Sequence, residues 1–289
     1  MKQLWRLFIA SFLVGSFLAN NAVSQNLGSN IKIIDVHIHK QSGWKEAGVT
    51  GVVAMPGVGD KIAHSKDKNV ITCLGVDYPL KKDRIDSDLK RGYGCIKIFL
   101  GYPPNFHYPH DSEYKPVYEL ADKYDIPVVF HTGDTQSKSG KIKYADPIHI
   151  DEVAVDNPNV TFVIAHCGNP WYQTAAEVAY KNKNVFLECS ALLTGDISQN
   201  ESRQMLMIDP IKWVFAYVEN PRKLMFGSDY SSSIVTNIRS YIDAYKKAIP
   251  EKHWKAVFSE NAACVYKFNE RFPADFGQVN CREFWDSFK

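Results

Sequence analysis

The sequence predicts an α/β protein folded as a single (β/α)8 barrel, the TIM-barrel architecture. Three observations predict it: eight short apolar runs recur along the chain, amphipathic stretches follow several of them, and polar residues suited to metal binding stand at their C-terminal ends. The runs are "IKIIDVHIH" (31–39), "VTGVVAMPG" (49–57), "NVITCLGVD" (69–77), "GCIKIFLG" (94–101), "IPVVFHTG" (126–133), "VTFVIAHCG" (160–168), "NVFLECSA" (184–191) and "KLMFGSDY" (223–230). They are nearly continuously apolar, as strands are when a parallel sheet is covered on both faces. Helical stretches follow at 114–125, 173–182 and 237–248. Eight such units in roughly 250 residues match a (β/α)8 barrel in size and rhythm. A doubly wound open sheet is the alternative, but no G-x-G-x-x-G follows the first run to support a dinucleotide site.

Ahead of the first run lies a segment of different character. Lys2 and Arg6 precede an uncharged stretch, 7–19, and Ala22, Val23 and Ser24 come just before Gln25. This is the pattern of a cleavable secretory signal over 1–24, leaving a barrel domain over 25–289 and a secreted or periplasmic location. A membrane anchor is the competing reading, but the apolar run is about 13 residues against the roughly 20 needed to cross a bilayer. No association with the membrane is expected after cleavage.

Composition narrows the class of partner. Of 289 residues, 45% are hydrophobic, enough for one large core, and no linker, repeat or low-complexity tract divides the chain. Lys and Arg total 34 against 32 Asp and Glu, and the lysines are scattered, so nothing resembles a nucleic-acid surface. A small-molecule substrate is the expected partner. No stretch stands out as a subunit interface. Of the six cysteines, Cys73, Cys95, Cys167 and Cys189 fall in or just after strand-like runs and read as buried thiols, whereas Cys264 and Cys281 make a natural disulfide pair.

Active sites of parallel barrels form at the C-terminal strand ends. There the first run carries Asp35, His37 and His39, the fourth Lys97, the fifth His131, the sixth His166 and the eighth Asp229. Alternation puts Asp35, His37 and His39 on one side of their strand. Each has an ordinary explanation alone: a satisfied core histidine, a capping aspartate or a snorkelling lysine. Their coincidence at one end of different strands points to a metal site. Imidazole and carboxylate suit zinc, iron or manganese, and no thiolate set competes. Asp229 is the residue placed to accept a proton from an activated water.

The ordered set "DVHIH", "GCIKIF", "PVVFHTG", "VTFVIAHCGNPW", "NVFLECSAL" and "NPRKLMFGSDY", closed by "SENAACVYKF", resembles the amidohydrolase superfamily, particularly its amidohydrolase-related branch of barrel-fold metal-dependent hydrolases. The resemblance runs from about residue 31 to 268. It implies that His37, His39, His131 and Asp229 hold a divalent metal, zinc first among the candidates. His166 then either binds a second ion or polarises the substrate. Lys97 bridges two ions if it becomes carboxylated; one metal is the favoured expectation. The implied reaction is attack of metal-activated water on an amide, lactone or ester carbonyl, with Asp229 and His166 catalytic. The closing motif implies an Asn opening the last helix.

Further residues are candidates for the mouth of the barrel: Asp77, Tyr78, Tyr102, Asp134 and Trp171, with Glu188 and Ser190 sharing a face of the seventh strand. Tyr108 and His110 lie in a long aromatic loop, "YPPNFHYPHDSEY", with the makings of a lid. Asp35, one pleat deeper than His37, is expected to orient a ligand or Lys97. Two other functions stay open. A metal-dependent decarboxylase on the same barrel would want a cation for a second carboxylate, and no inward Arg is evident at a strand end. A non-catalytic binding barrel would be expected to have lost some of these positions.

Overall fold

The computed structural model describes residues 31–198 and 200–288, and the expected signal segment over 1–24 lies outside them. From Lys32 onward eight strands pair in parallel in chain order: β1 (Ile33–Ile38), β2 (Val49–Ala54), β3 (Val70–Val76), β4 (Cys95–Phe99), β5 (Val128–His131), β6 (Phe162–Ile164), β7 (Val185–Glu188) and β8 (Leu224–Met225). The two edges meet. Val36 donates its N–H to the Phe226 carbonyl at 3.0 Å, Asp229 donates to that of His37 at 2.8 Å, and Ile38 bridges Tyr230 in parallel. These bonds use the backbone groups that an open sheet would leave unpaired.

Six helices follow β3 to β8 in turn: α1 (Lys82–Leu89), α2 (Lys115–Tyr124), α3 (His149–Asp156), α4 (Tyr172–Lys181), α5 (Glu201–Tyr217) and α6 (Ile238–Ala248). The three helices expected from periodicity are α2, α4 and α6. After β1 there is only a 3-10 turn, Lys45–Ala47, and β2 is followed by a loop. A further helix, α7 (Asn261–Val265), opens on the Asn of the closing motif, whose buried side chain donates to the carbonyls of Pro221 (2.8 Å) and Leu224 (2.7 Å) and so ties this helix to the start of β8. It is not the last helix, because three short ones follow it.

Two runs end earlier as strands than their apolar residues suggest. β6 stops at Ile164, and His166 and Cys167 turn with φ of 59° and 46°. β8 pairs over Leu224–Met225 alone, and beyond it Asp229 takes φ 66°. Left-handed backbone is costly for residues other than Gly, and here it falls where side chains must leave the strand path to meet at the mouth.

Side chains inside the barrel form layers. Cys95, Val129 and Phe186 belong to the apolar core, and two residues further along the same strands stand Lys97, His131 and Glu188. Side chains two apart share a strand face, so an ionisable layer sits directly on an apolar one. The same core takes in Ala262, Phe268, Phe276 and Phe284 from the C-terminal segment. That segment covers the starts of the strands: the Asp275 carboxylate accepts from Asn69, just before β3, at 3.0 Å and lies 3.4 Å from the ammonium of Lys32, just before β1.

The cysteines require a correction. Cys264 and Cys281 are bridged as expected, but Cys73 with Cys95 and Cys167 with Cys189 are disulfides too, leaving no free cysteine in the chain. Burial within a run said nothing about register: Cys73 and Cys95 face each other as partners of β3 and β4, with Cα atoms 4.4 Å apart. Cys167 and Cys189 follow the neighbouring strands β6 and β7 at a Cα separation of 4.6 Å. Replacing Cys73 and Cys95 together by Ala is expected to lower stability by about 3 kcal/mol, the loop-closure effect for a link of this length. Guanidinium unfolding of the oxidised proteins measures it, and an unchanged midpoint would contradict it.

Candidate metal centre

Three ligand atoms gather at the C-terminal end of β1. His37 Nε2 and His39 Nε2 lie 3.5 and 3.1 Å from the same oxygen, Asp229 Oδ1. That oxygen is buried and finds no hydrogen-bond partner among the described residues. A buried carboxylate oxygen without a donor is costly, and two imidazole nitrogens beside it form a donor set that suits a divalent cation. The residues present therefore fit a metal.

Beneath the trio, His37 is held by Glu188, whose Oε1 is 2.6 Å from Nδ1; both side chains are inaccessible. With the hydrogen of Nδ1 given to this carboxylate, the lone pair of His37 is on Nε2, facing Asp229. Glu188 is fixed in turn by the Ser190 N–H at 2.7 Å. Space for it comes from Gly227, where a Cβ would stand 2.7 Å from Glu188 Oε2 and 3.4 Å from the His37 Cβ. Asp35 is placed differently from the expectation. It accepts from the backbone N–H of His37 at 3.1 Å and from the N–H and hydroxyl of Ser228 at 2.9 and 2.5 Å. It thus fixes the β1–β8 seam rather than touching an imidazole ring or Lys97. Burial pushes its carboxyl up to about 7, with the Ser228 and His37 hydrogen bonds opposing.

His131 and His166 pair with each other instead of joining the trio directly. His131 Nδ1 is 3.1 Å from His166 Nε2, and the ring of His166 is 4.9 Å from that of His37, so the imidazoles run continuously across the mouth. The Asp134 carbonyl, 2.9 Å from His131 Nε2, can only accept. The hydrogen therefore sits on Nε2 and the lone pair on Nδ1. His166 has two arrangements: Nδ1 accepts from the Ser190 hydroxyl at 2.9 Å, or donates to the Ser190 carbonyl at 3.2 Å. The first gives Nε2 a hydrogen to donate and the second gives it a lone pair, which are the two roles the sequence left open for this residue.

Electrostatics favour this state. Burial, reinforced by neighbouring cationic groups, holds His37, His131 and His166 well below the ordinary imidazole pKa, so they stay neutral and keep their lone pairs. For Asp229, burial alone would raise the pKa, but His37, His39 and Lys97 outweigh it and leave the carboxyl below its usual range, ionised at neutral pH. Lys97 is wholly buried, and its ammonium nitrogen has no hydrogen-bond partner among the described residues. Burial draws its pKa down and Glu188 and Asp229 pull the other way.

The trio opens into a cavity of about 630 Å³. Tyr102 and Asp134 line it, whereas Asp77, Tyr78, Trp171, Tyr108 and His110 do not. Asp77 instead accepts from Asn105 at 2.7 Å, Tyr78 stacks on His107 at 4.1 Å, and Tyr108 packs with Tyr144 and His149, so the expected lid is bound down to its own surroundings. Glu188 and Ser190 lie below the cavity, fully buried. Among the lining residues that the sequence reading did not single out is a cation, Arg203, in the first turn of α5, which is N-capped by Asn200, and bonded to the Thr194 carbonyl at 3.1 Å. It reaches the mouth from a helix, and a search of strand ends could not find it.

The amidohydrolase family model matches residues 76–268, well over half of the chain. Among solved structures, an uncharacterised TIM-barrel protein from Bordetella bronchiseptica superimposes with a TM-score of 0.62 at 17% identity, covering 86% of this chain and 100% of that one. A probable 2-pyrone-4,6-dicarboxylic acid hydrolase from Acinetobacter baumannii gives 0.56 at 13%, covering 82% and 100%. A 5-carboxyvanillate decarboxylase from Novosphingobium aromaticivorans, with manganese bound, gives 0.54 at 12%, covering 77% and 78%. At these identities the likeness is one of fold. No curated protein matches the chain.

The His37–Glu188 pair generates a prediction. Glu188→Gln keeps the volume but replaces the carboxyl whose Oε1 orients His37 with a weaker amide acceptor, and metal affinity is expected to fall about 10- to 100-fold. Competition with a chelator measures it; unchanged affinity would mean His37 needs no such support.

Proposed function

This chain belongs to the amidohydrolase family, and from that premise we propose that it is a zinc-dependent hydrolase opening an amide, lactone or ester bond of a small molecule. The observation that carries the proposal is the trio of buried His37 and Asp229 with partly buried His39, in which an Asp229 oxygen finds no donor among the described residues. These three would hold the ion, and His131 would become a fourth donor on turning its Nδ1 lone pair away from His166 Nε2, 3.1 Å from it, which would free that nitrogen. A bound divalent ion supplies Lewis acidity and brings the pKa of water toward ~7. Asp229, ionised at neutral pH, accepts the proton of the attacking water and passes it to the leaving group. His166, with Nε2 protonated through its Ser190 contact, donates a hydrogen bond where negative charge develops. Lys97 would help to hold a second ion only if carboxylated; as a free ammonium it balances Glu188 and Asp229, so one ion per chain is the favoured arrangement.

Arg203 favours a second reading, decarboxylation of an acid whose other carboxylate this guanidinium would hold. The two readings separate by product: a screen of zinc-reconstituted protein across amides, lactones, esters and carboxylic acids yields either a hydrolysed bond or carbon dioxide. Purified protein is expected to contain a stoichiometric divalent ion, and Asp229→Asn to lose about 10²- to 10⁴-fold in turnover while unfolding normally. Protein without such an ion would remove both readings.

We place the protein outside the cytoplasm, secreted or periplasmic. The signal-like segment over 1–24 and three disulfides that occupy all six cysteines support this. Mass spectrometry of the exported protein is expected to find Gln25 at its N-terminus; an intact segment over 1–24 in the soluble exported fraction would contradict it.

A further inference from the structure

Tyr102 stands in the cavity wall beside the imidazoles, its ring edge-on to His131 with centroids 4.9 Å apart. Its place is fixed from several sides. Just before it, Gly101 has φ 81°, a conformation few side chains tolerate, and its carbonyl accepts from Lys141 N–H at 2.8 Å. The Tyr102 carbonyl accepts from Asn105 N–H at 2.6 Å, and Asn105 is fully buried, with a side-chain oxygen that takes the Tyr78 N–H at 2.8 Å. Most telling is the phenol itself: its oxygen accepts the backbone N–H of Gln136 at 3.0 Å.

A phenol hydroxyl is both donor and acceptor, and its hydrogen prefers the plane of the ring. With one side of the oxygen taken by the Gln136 N–H, the hydrogen must turn away from that contact, and no protein group among the described residues accepts it. A hydrogen-bond donor held in advance, in a cavity wall next to a metal-binding imidazole, is what a developing oxyanion requires.

We propose that Tyr102 is a catalytic residue that donates a hydrogen bond to the oxyanion formed at the substrate carbonyl, a role that rests on the hydrolase reading above. As water oxygen bonds to the carbonyl carbon, the C=O π electrons move to oxygen, and the Tyr102 O–H bonds to that oxygen without giving up its proton. The water's proton goes to Asp229. When the C–O or C–N bond to the leaving group breaks, the π bond re-forms and the phenol is released unchanged.

Tyr102→Phe removes only the hydroxyl. With zinc-loaded protein and dihydrocoumarin as the lactone probe, kcat is expected to fall about 100-fold with KM little changed, because the bond is made mainly in the transition state. Independently of turnover, binding of benzylphosphonate, a tetrahedral anion, is expected to weaken about tenfold or more by calorimetry, with zinc content and melting temperature as in the wild type. Equal phosphonate affinity in the two proteins, or phosphonate binding to neither, overturns the assignment; so does a kcat within about threefold of wild type. A loss of zinc or of melting temperature in the variant would also overturn it, by making the role structural. The hydrolase reading fails on a different result, a wild-type protein that holds no zinc.

Discussion

A hydrogen bond buried between His37 and Glu188, 2.6 Å long and without access to water, is the contact on which the centre of this molecule depends. A carboxylate at that depth is tolerable only with donors around it. Glu188 has the imidazole on one side and the Ser190 N–H on the other, and the bare Cα of Gly227 leaves it room. The same contact decides which nitrogen of His37 faces the mouth. Structural satisfaction of the acid and chemical readiness of the imidazole are therefore one requirement, met by residues on three strands or their extensions.

Around this pair the barrel interior divides by depth. Cys95, Val129 and Phe186 are packed apolar residues, and one pleat above them Lys97, His131 and Glu188 bring charge and hydrogen bonding. Asp35 works at the seam, where its oxygens gather the amides of His37 and Ser228 and hold the first strand to the last. Asp229 then leaves β8 in a left-handed conformation, its N–H on the His37 carbonyl. Closure of the barrel and delivery of the acid to the imidazoles are accomplished by the same few residues.

The eight strands were legible because each is an apolar run of about strand length, and the candidate trio because its members stand at strand ends where a barrel concentrates chemistry. What was hidden depended on neighbours that no single run displays. Cys73 and Cys95 looked like separate buried thiols until register set them side by side. Glu188 was visible only as one of two residues sharing a strand face, and its tie to His37 spans 151 positions. Arg203 arrives from a helix start fixed by the Asn200 cap, and in the aromatic loop that suggested a lid Tyr108 is packed against the rings of Tyr144 and His149. Asp35 was correctly suspected of a supporting role, but its short side chain finds backbone amides before it can reach a ring.

The floor of the barrel introduces an asymmetry in time. Disulfides span 17 to 22 positions, so they join parts of the chain that are made close together. Asp275, by contrast, meets Asn69 and Lys32 across separations of 206 and 243. A polypeptide that emerges from its N-terminal end can set its staples as it goes, but the openings beneath β1 and β3 stay wet until nearly the whole chain is present. Lys97, His131 and Glu188 of the ionisable layer all precede in the chain the segment that seals the base beneath them.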